Sequence, residues 1–178
     1  MKAHNGMRPL DIAVLLKIIA MGEKDWNHQS LAKSLFISQS EISESLNRSA
    51  FAGLVNQEKK KVFIQALQGF LFEGLKYVFP VHPGMLVRGM ATSHAAPVLS
   101  KHFVYSEAYV WPDIQGKERG MAVRPLYPGA VDAAKEDPLL YDLLAIVDAL
   151  RVGKVREVLK ARELFTEIIK KHYYVTSH

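Results

Sequence analysis

The residues able to do chemistry fall into two groups, and the first is in the middle of the chain. His82, His94 and His102 stand there with Phe103, Tyr105, Tyr109 and Trp111. Three imidazoles can bind zinc, but these lack the short spacings that set ligands on one face of a strand or helix, and no acidic partner is in step. Ser93-His94 and Ser100-Lys101-His102 place a hydroxyl beside a base. Adjacent side chains point apart, however, and no Gly-x-Ser-x-Gly elbow holds either serine. There is no phosphate loop, no Gly-x-Gly-x-x-Gly, no His-Glu-x-x-His and no cysteine, so Cys nucleophiles and thiolate metal sites are excluded. The expectation is a protein that is not an enzyme and uses no metal or cofactor. A small hydrolase built on His94 and His102 is a third reading.

The second group is polar and near the start. Ser38, Gln39, Ser40, Ser43, Glu44 and Asn47 carry amide, hydroxyl and carboxylate groups of the kinds that read base edges in a major groove. Lys33, Arg48, Lys59, Lys60 and Lys61 are cations suited to phosphate neutralisation. Glu41 and Glu44 oppose this, since carboxylates facing a phosphodiester repel it. From Lys24 to Lys61 six cations stand against four anions, which implies modest affinity of a monomer for DNA.

These groups need elements to position them. Pro9 suits the first turn of a helix, and Ile12, Leu15, Leu16, Ile19 and Ala20 follow at helical steps until Gly22. Asn27 is an N-cap for a second helix ending at Leu35, and a third runs from Ser38 or Gln39 to Ala52. Leu31, Leu35, Ile37, Ile42 and Leu46 can share one small core only if these two helices cross sharply through a short turn. A fourth helix spans Gln65 to Phe79. Six of the eight prolines lie between Pro80 and Pro128, so that stretch allows only short strands, turns or brief helices. Phe103 to Trp111 reads as a strand and Met121 to Leu126 as its return. Asp137 caps a helix from Pro138 to Arg151, and a last helix runs from Lys154 to Tyr173.

The run Leu31-Ala32-Lys33-Ser34-Leu35-Phe36-Ile37-Ser38-Gln39-Ser40-Glu41-Ile42-Ser43-Glu44-Ser45-Leu46, followed by Ala52-Gly53-Leu54-Val55, resembles the helix-turn-helix of bacterial transcription regulators. The resemblance covers roughly residues 8–79 and is closest to winged-helix regulators of the MarR, ArsR and PadR kind. It implies that the third helix enters the major groove, at the flank carrying Ser38, Gln39, Ser40, Ser43, Glu44 and Asn47. Two departures stand out. Phe36 occupies a turn position where the family usually has glycine, and only Asn56 to Ile64 is left for a wing, which is therefore short or missing.

The expected fold is mainly α, in three parts. Residues 1–79 form a helix-turn-helix DNA-binding domain with a reduced wing. Residues 80–130 form a Pro- and Gly-rich, partly β segment that is a ligand or docking surface or buried filler. Residues 131–178 form a helical dimerisation region. Val155, Val158, Leu159, Phe165, Ile168 and Ile169 make the apolar stripe assigned to the dimer, with packing back on the same domain as the alternative. Trp111, Arg119, Arg124 and Tyr127 are the middle-segment groups most able to orient a small-molecule effector.

The 178 residues are 49% hydrophobic, enough for one ordinary core. A formal net charge of +5 favours polyanions without requiring them. Met1 to Arg8 does not read as a secretory signal, and no apolar stretch approaches a membrane span. A cytoplasmic, membrane-free protein is expected, with double-stranded DNA and a second copy of itself as partners. The leading reading is a homodimeric sequence-specific repressor. The alternative is an antitoxin-like or other protein-interaction module that keeps the fold without specific DNA binding.

Overall fold

The computed structural model describes residues 6–174 and is mainly helical with one small sheet. Helix α1 (Pro9–Met21) begins on its proline, and the Asp11 carboxylate closes the first turn by accepting the Arg8 backbone N–H at 2.7 Å. Its middle is buried almost all round, from Asp11 to Ile19. That places it at the centre of the molecule rather than on its surface.

Helices α2 (His28–Leu35) and α3 (Gln39–Phe51) follow. The Asn27 side chain accepts the Ser30 N–H at 2.8 Å and starts α2. A Schellman closure ends it, with Ile37 N–H donating to Ala32 O at 3.1 Å and Phe36 N–H to Lys33 O at 3.3 Å. Phe36 sits in the left-handed region that this closure demands, at φ 57° and ψ 41°. A non-glycine residue there costs about 1–2 kcal/mol, so the departure seen in the sequence is borne as local strain.

The predicted fourth helix is interrupted. It comprises α4 (Ile64–Gly69), a π-helical turn over Phe70–Gly74 and α5 (Leu75–Val78). The turn brings Phe72 edge-on to Phe165, with ring centroids 5.9 Å apart.

The middle segment differs from expectation in pairing as well as in bounds. A strand unmarked by the sequence reading, β1 (Leu86–Thr92), pairs antiparallel with both β2 (Tyr109–Pro112) and β3 (Glu118–Ala122). The latter two pair parallel to each other, so the three strands close into a miniature barrel instead of a two-stranded ribbon. Glycines make this closure feasible: a Cβ on Gly89 would come within 2.0 Å of Trp111 O, one on Gly116 within 2.2 Å of Gly89 O, and one on Gly120 within 2.4 Å of Ala108 O. A brief helix α6 (Pro97–Ser100) lies between β1 and β2.

After the barrel come α7 (Ala130–Glu136), α8 (Pro138–Val152) and α9 (Val155–Ile169), the last continuing as a π-helical turn over Lys170–Tyr174. Asp137 caps α8 as its position implies, accepting the Leu140 N–H at 3.1 Å, and also receives Lys17 of α1 at 2.7 Å. Asp148 of α8 is fully buried and satisfied by Trp111 Nε1 at 2.6 Å, Thr92 Oγ1 at 2.8 Å and Arg151 at 3.0 Å, fastening the barrel to the helices. The Tyr141 hydroxyl, which donates to Ala91 O at 2.6 Å, is pushed up to about 12 by burial. One apolar core runs from Ile12 through Leu31, Leu71, Trp111 and Leu144 to Ile169, so all three stretches of the chain contribute to it. Among the described residues no helix is long and apolar enough to cross a membrane.

Candidate nucleic-acid interface

The first half of α3 presents a polar flank. Ile42, Ser45 and Leu46 face inward, while Gln39, Ser40, Glu44 and Asn47 are exposed and Ser43 is half-buried. This inside–outside division follows from the apolar spacing, because Ile42 and Leu46 are one turn apart and Leu31 and Leu35 of α2 are buried with them. Ser38 is the N-cap: its Oγ accepts the Glu41 N–H at 3.1 Å, and Glu41 Oε2 accepts the Ser38 N–H at 3.0 Å. Glu41 is thereby committed to holding the helix start. Glu44 lies 3.7 Å from Arg48 across one turn of α3.

Arg48, expected as a phosphate contact, is buried and turned inward. Its Nε and Nη2 donate to the two oxygens of Asp11 at 2.9 and 2.7 Å. The hydrogen bond to Asp11 raises the guanidinium pKa, and desolvation offsets part of that effect. Arg48 is therefore unavailable to a phosphate and instead fixes α3 on α1. Nothing in the local sequence around Arg48 marks Asp11, 37 positions away, as its partner.

Beyond α3 the chain makes a tight hairpin, with Val55 and Val62 bridged antiparallel, Asn56 N–H donating to Lys61 O at 2.9 Å and Phe63 N–H to Leu54 O at 2.9 Å. Asn56 Oδ1 accepts the backbone N–H groups of Lys60 and Lys61, each at 2.8 Å, and Lys59 takes a left-handed φ of 59° to complete the turn. The three lysines have different surroundings. Lys59 Nζ bonds Asn47 Oδ1 of α3, linking hairpin and helix. Lys60 donates to Trp26 O at 2.8 Å and stands 4.1 Å over the Trp26 ring. Lys61 and Lys33 are exposed and have no side-chain bond within the described residues. The part played by Trp26 was missed in the sequence, where an indole outside any periodic stripe carries no signal.

The stripe assigned to dimerisation is divided by the fold. Phe165 and Ile169 are buried in this chain's own core, and Val158 and Ile168 are half-buried against it. Val155 is 80% exposed and Leu159 61% exposed. The stripe was too broad because its inner edge covers α8, which the sequence could not pair with it.

The four groups suggested for an effector do not meet. Trp111 is buried and spends its N–H on Asp148, and Arg119 is exposed on β3 directly opposite Arg88. Arg124 and Tyr127 do line a common cavity, with Pro9, Phe79 and Arg151. His94 is buried between Tyr105 and Tyr109, with Nε2 2.8 Å from Glu107 O and Nδ1 3.9 Å from Glu157. Among the described residues no group of His, Asp and Glu is arranged to hold a metal. Comparison with protein-family models, curated proteins and solved structures gives no match to this chain.

Proposed function

We propose that this chain is a sequence-specific DNA-binding transcriptional regulator, a homodimeric repressor acting in the cytoplasm. The observation that carries the reading is the exposed polar flank of α3, which begins at a capped helix end beyond a sharp turn and has a lysine hairpin braced against it. In this reading α2 and α3 are the helix-turn-helix, and the hairpin around Asn56 is its reduced wing. Gln39, Ser40, Ser43 and Asn47 select bases, with Glu44 at the rim. Lys33 and Lys61 hold the backbone, while Lys59 and Lys60 orient the hairpin and contribute charge. With Arg48 and Glu41 committed internally, few cations remain, which favours a modest salt slope for each subunit and reliance on two half-sites. Val155 and Leu159 are what remains of the stripe for pairing two copies.

Selection of bound fragments from random DNA, followed by anisotropy titration of the winners, tests this. The expected product is an inverted repeat with half-sites about one helical turn apart. Gln39→Ala should lose discrimination between sites, and Lys61→Ala should weaken all sequences alike. Failure to enrich any sequence, with no retention of DNA at low salt, would overturn the reading in favour of a protein-interaction module.

A further inference from the structure

We infer that the cavity between the start of α1, the end of α5 and the 124–128 turn binds a small organic anion with an apolar body, and that α3 senses its occupancy. The cavity measures about 430 Å³, within the range of small-molecule sites. Its walls are proline, aromatic and aliphatic surfaces, among them Pro9, Phe79 and Leu126, and among the described residues its charged lining residues are Arg124 and Arg151. Among the described residues no carboxylate lines it.

The two arginines play different parts. Arg151 has a side chain only 5% exposed; it shares its charge with Asp148 at 3.0 Å and donates to Phe79 O at 3.0 Å and Arg124 O at 3.4 Å. It thus builds the rim from both sides. Arg124 is exposed, with no acidic partner among the described residues. Tyr127 contributes to the wall, while its hydroxyl is buried without a hydrogen-bond partner. An unpaired cation above apolar walls selects an anionic head on an apolar body over a cationic or uncharged one.

Pro9 connects the cavity to α3. It is both wall residue and first residue of α1, two positions before Asp11, whose carboxylate is the two-point partner of Arg48. A ligand pressing on Pro9 acts on the helix start that fixes α3. The ligand site stands independently of the DNA reading; only the regulatory use of this coupling rests on it.

The test is a titration of the full chain with hexanoate and phenyl phosphate as anions, hexanol and hexylamine as controls, followed by backbone amide NMR shifts. Saturable shifts at Phe79 and Leu126 are expected for the anions, with the controls at least about tenfold weaker. Arg124→Glu should reduce anion affinity about tenfold or more, and Arg124→Lys should retain part of it. A preference for hexanoate or for phenyl phosphate distinguishes a carboxylate from a phosphomonoester. Equal binding of all four probes, no saturable shift, or full affinity in Arg124→Glu would overturn the site. Shifts that extend to Gln39–Asn47 in the natural chain and shrink in Arg48→Lys support the coupling, and shifts confined to the cavity overturn it. Neither readout uses DNA, so a failure here is separate from a failure of the regulatory reading.

Discussion

Arg48 grips Asp11 from 37 positions away through two hydrogen bonds of 2.9 and 2.7 Å, and the carboxylate that receives them is wholly buried. Removing one partner strands the other charge away from water. Asp11→Ala should therefore lower unfolding free energy by about 3–5 kcal/mol. The apolar pair Asp11→Leu with Arg48→Met should recover most of that loss. Urea unfolding of the single and double variants measures both.

The barrel's glycines should be far less replaceable than glycine elsewhere. Gly89→Ala and Gly120→Ala drive a methyl group into backbone carbonyls at 2.0 and 2.4 Å, so each should destabilise by about 2 kcal/mol or more. Gly69→Ala, at a helical site with nothing within 4 Å of the added carbon, should instead gain about 0.5–1 kcal/mol. Thermal unfolding of the three variants gives the comparison.

Phe36→Gly should relieve left-handed strain at a side chain that is 47% exposed, for a net gain of roughly 0.5–1 kcal/mol. Phe36→Val, β-branched at the same φ, should lose stability. The opposite order in chemical denaturation would mean that the packing of the half-exposed Phe36 side chain outweighs the backbone cost.

Asp148 gives a pH signature of definite sign. Burial pushes its carboxyl above the ordinary Asp range, and the Arg151 charge and the bonds from Thr92 and Trp111 offset only part of this. The folded chain therefore keeps a proton that the unfolded chain has released, and this group's contribution declines as pH rises from about 3.9 through the raised value. Asp148→Asn should remove that slope while lowering stability overall, because its amide faces Arg151. Unfolding midpoints measured between about pH 4 and pH 8 should show the natural chain losing ground relative to its own acid value where the variant does not.

If α9 pairs two copies, Val155→Glu with Leu159→Glu should shift the sedimentation coefficient to that of a monomer without altering the fold. Both side chains are exposed, so each change on the monomer should cost within about 0.5 kcal/mol. A sedimentation coefficient unchanged by the substitutions would remove these residues from the interface.

The longer helices and their caps were legible in the sequence, while the short α6 and α7 and the partners across the fold were not. Asn27, Ser38 and Asp137 announce helix starts because a cap acts within three residues of itself. The inward positions of Leu31, Leu35, Ile42 and Leu46 follow from local spacing for the same reason. The π-helical turn at Phe70–Gly74 has no periodic mark, since it is held by packing such as that of Phe72 on Phe165. β1 was missed because Arg88, Gly89 and Ala91 break apolar alternation, and its glycine is there to let another backbone approach. At the candidate interface, the polar flank was readable from α3 alone. That Arg48 turns inward and Lys60 lies on Trp26 depends on residues 37 and 34 positions away, beyond the reach of any local pattern.

A ring of three strands has neither a first nor a last member. Because β1, β2 and β3 each bond to both of the others, this sheet offers no open margin on which a foreign strand could template itself. Cross-β growth from these three strands should then require prior opening of the ring.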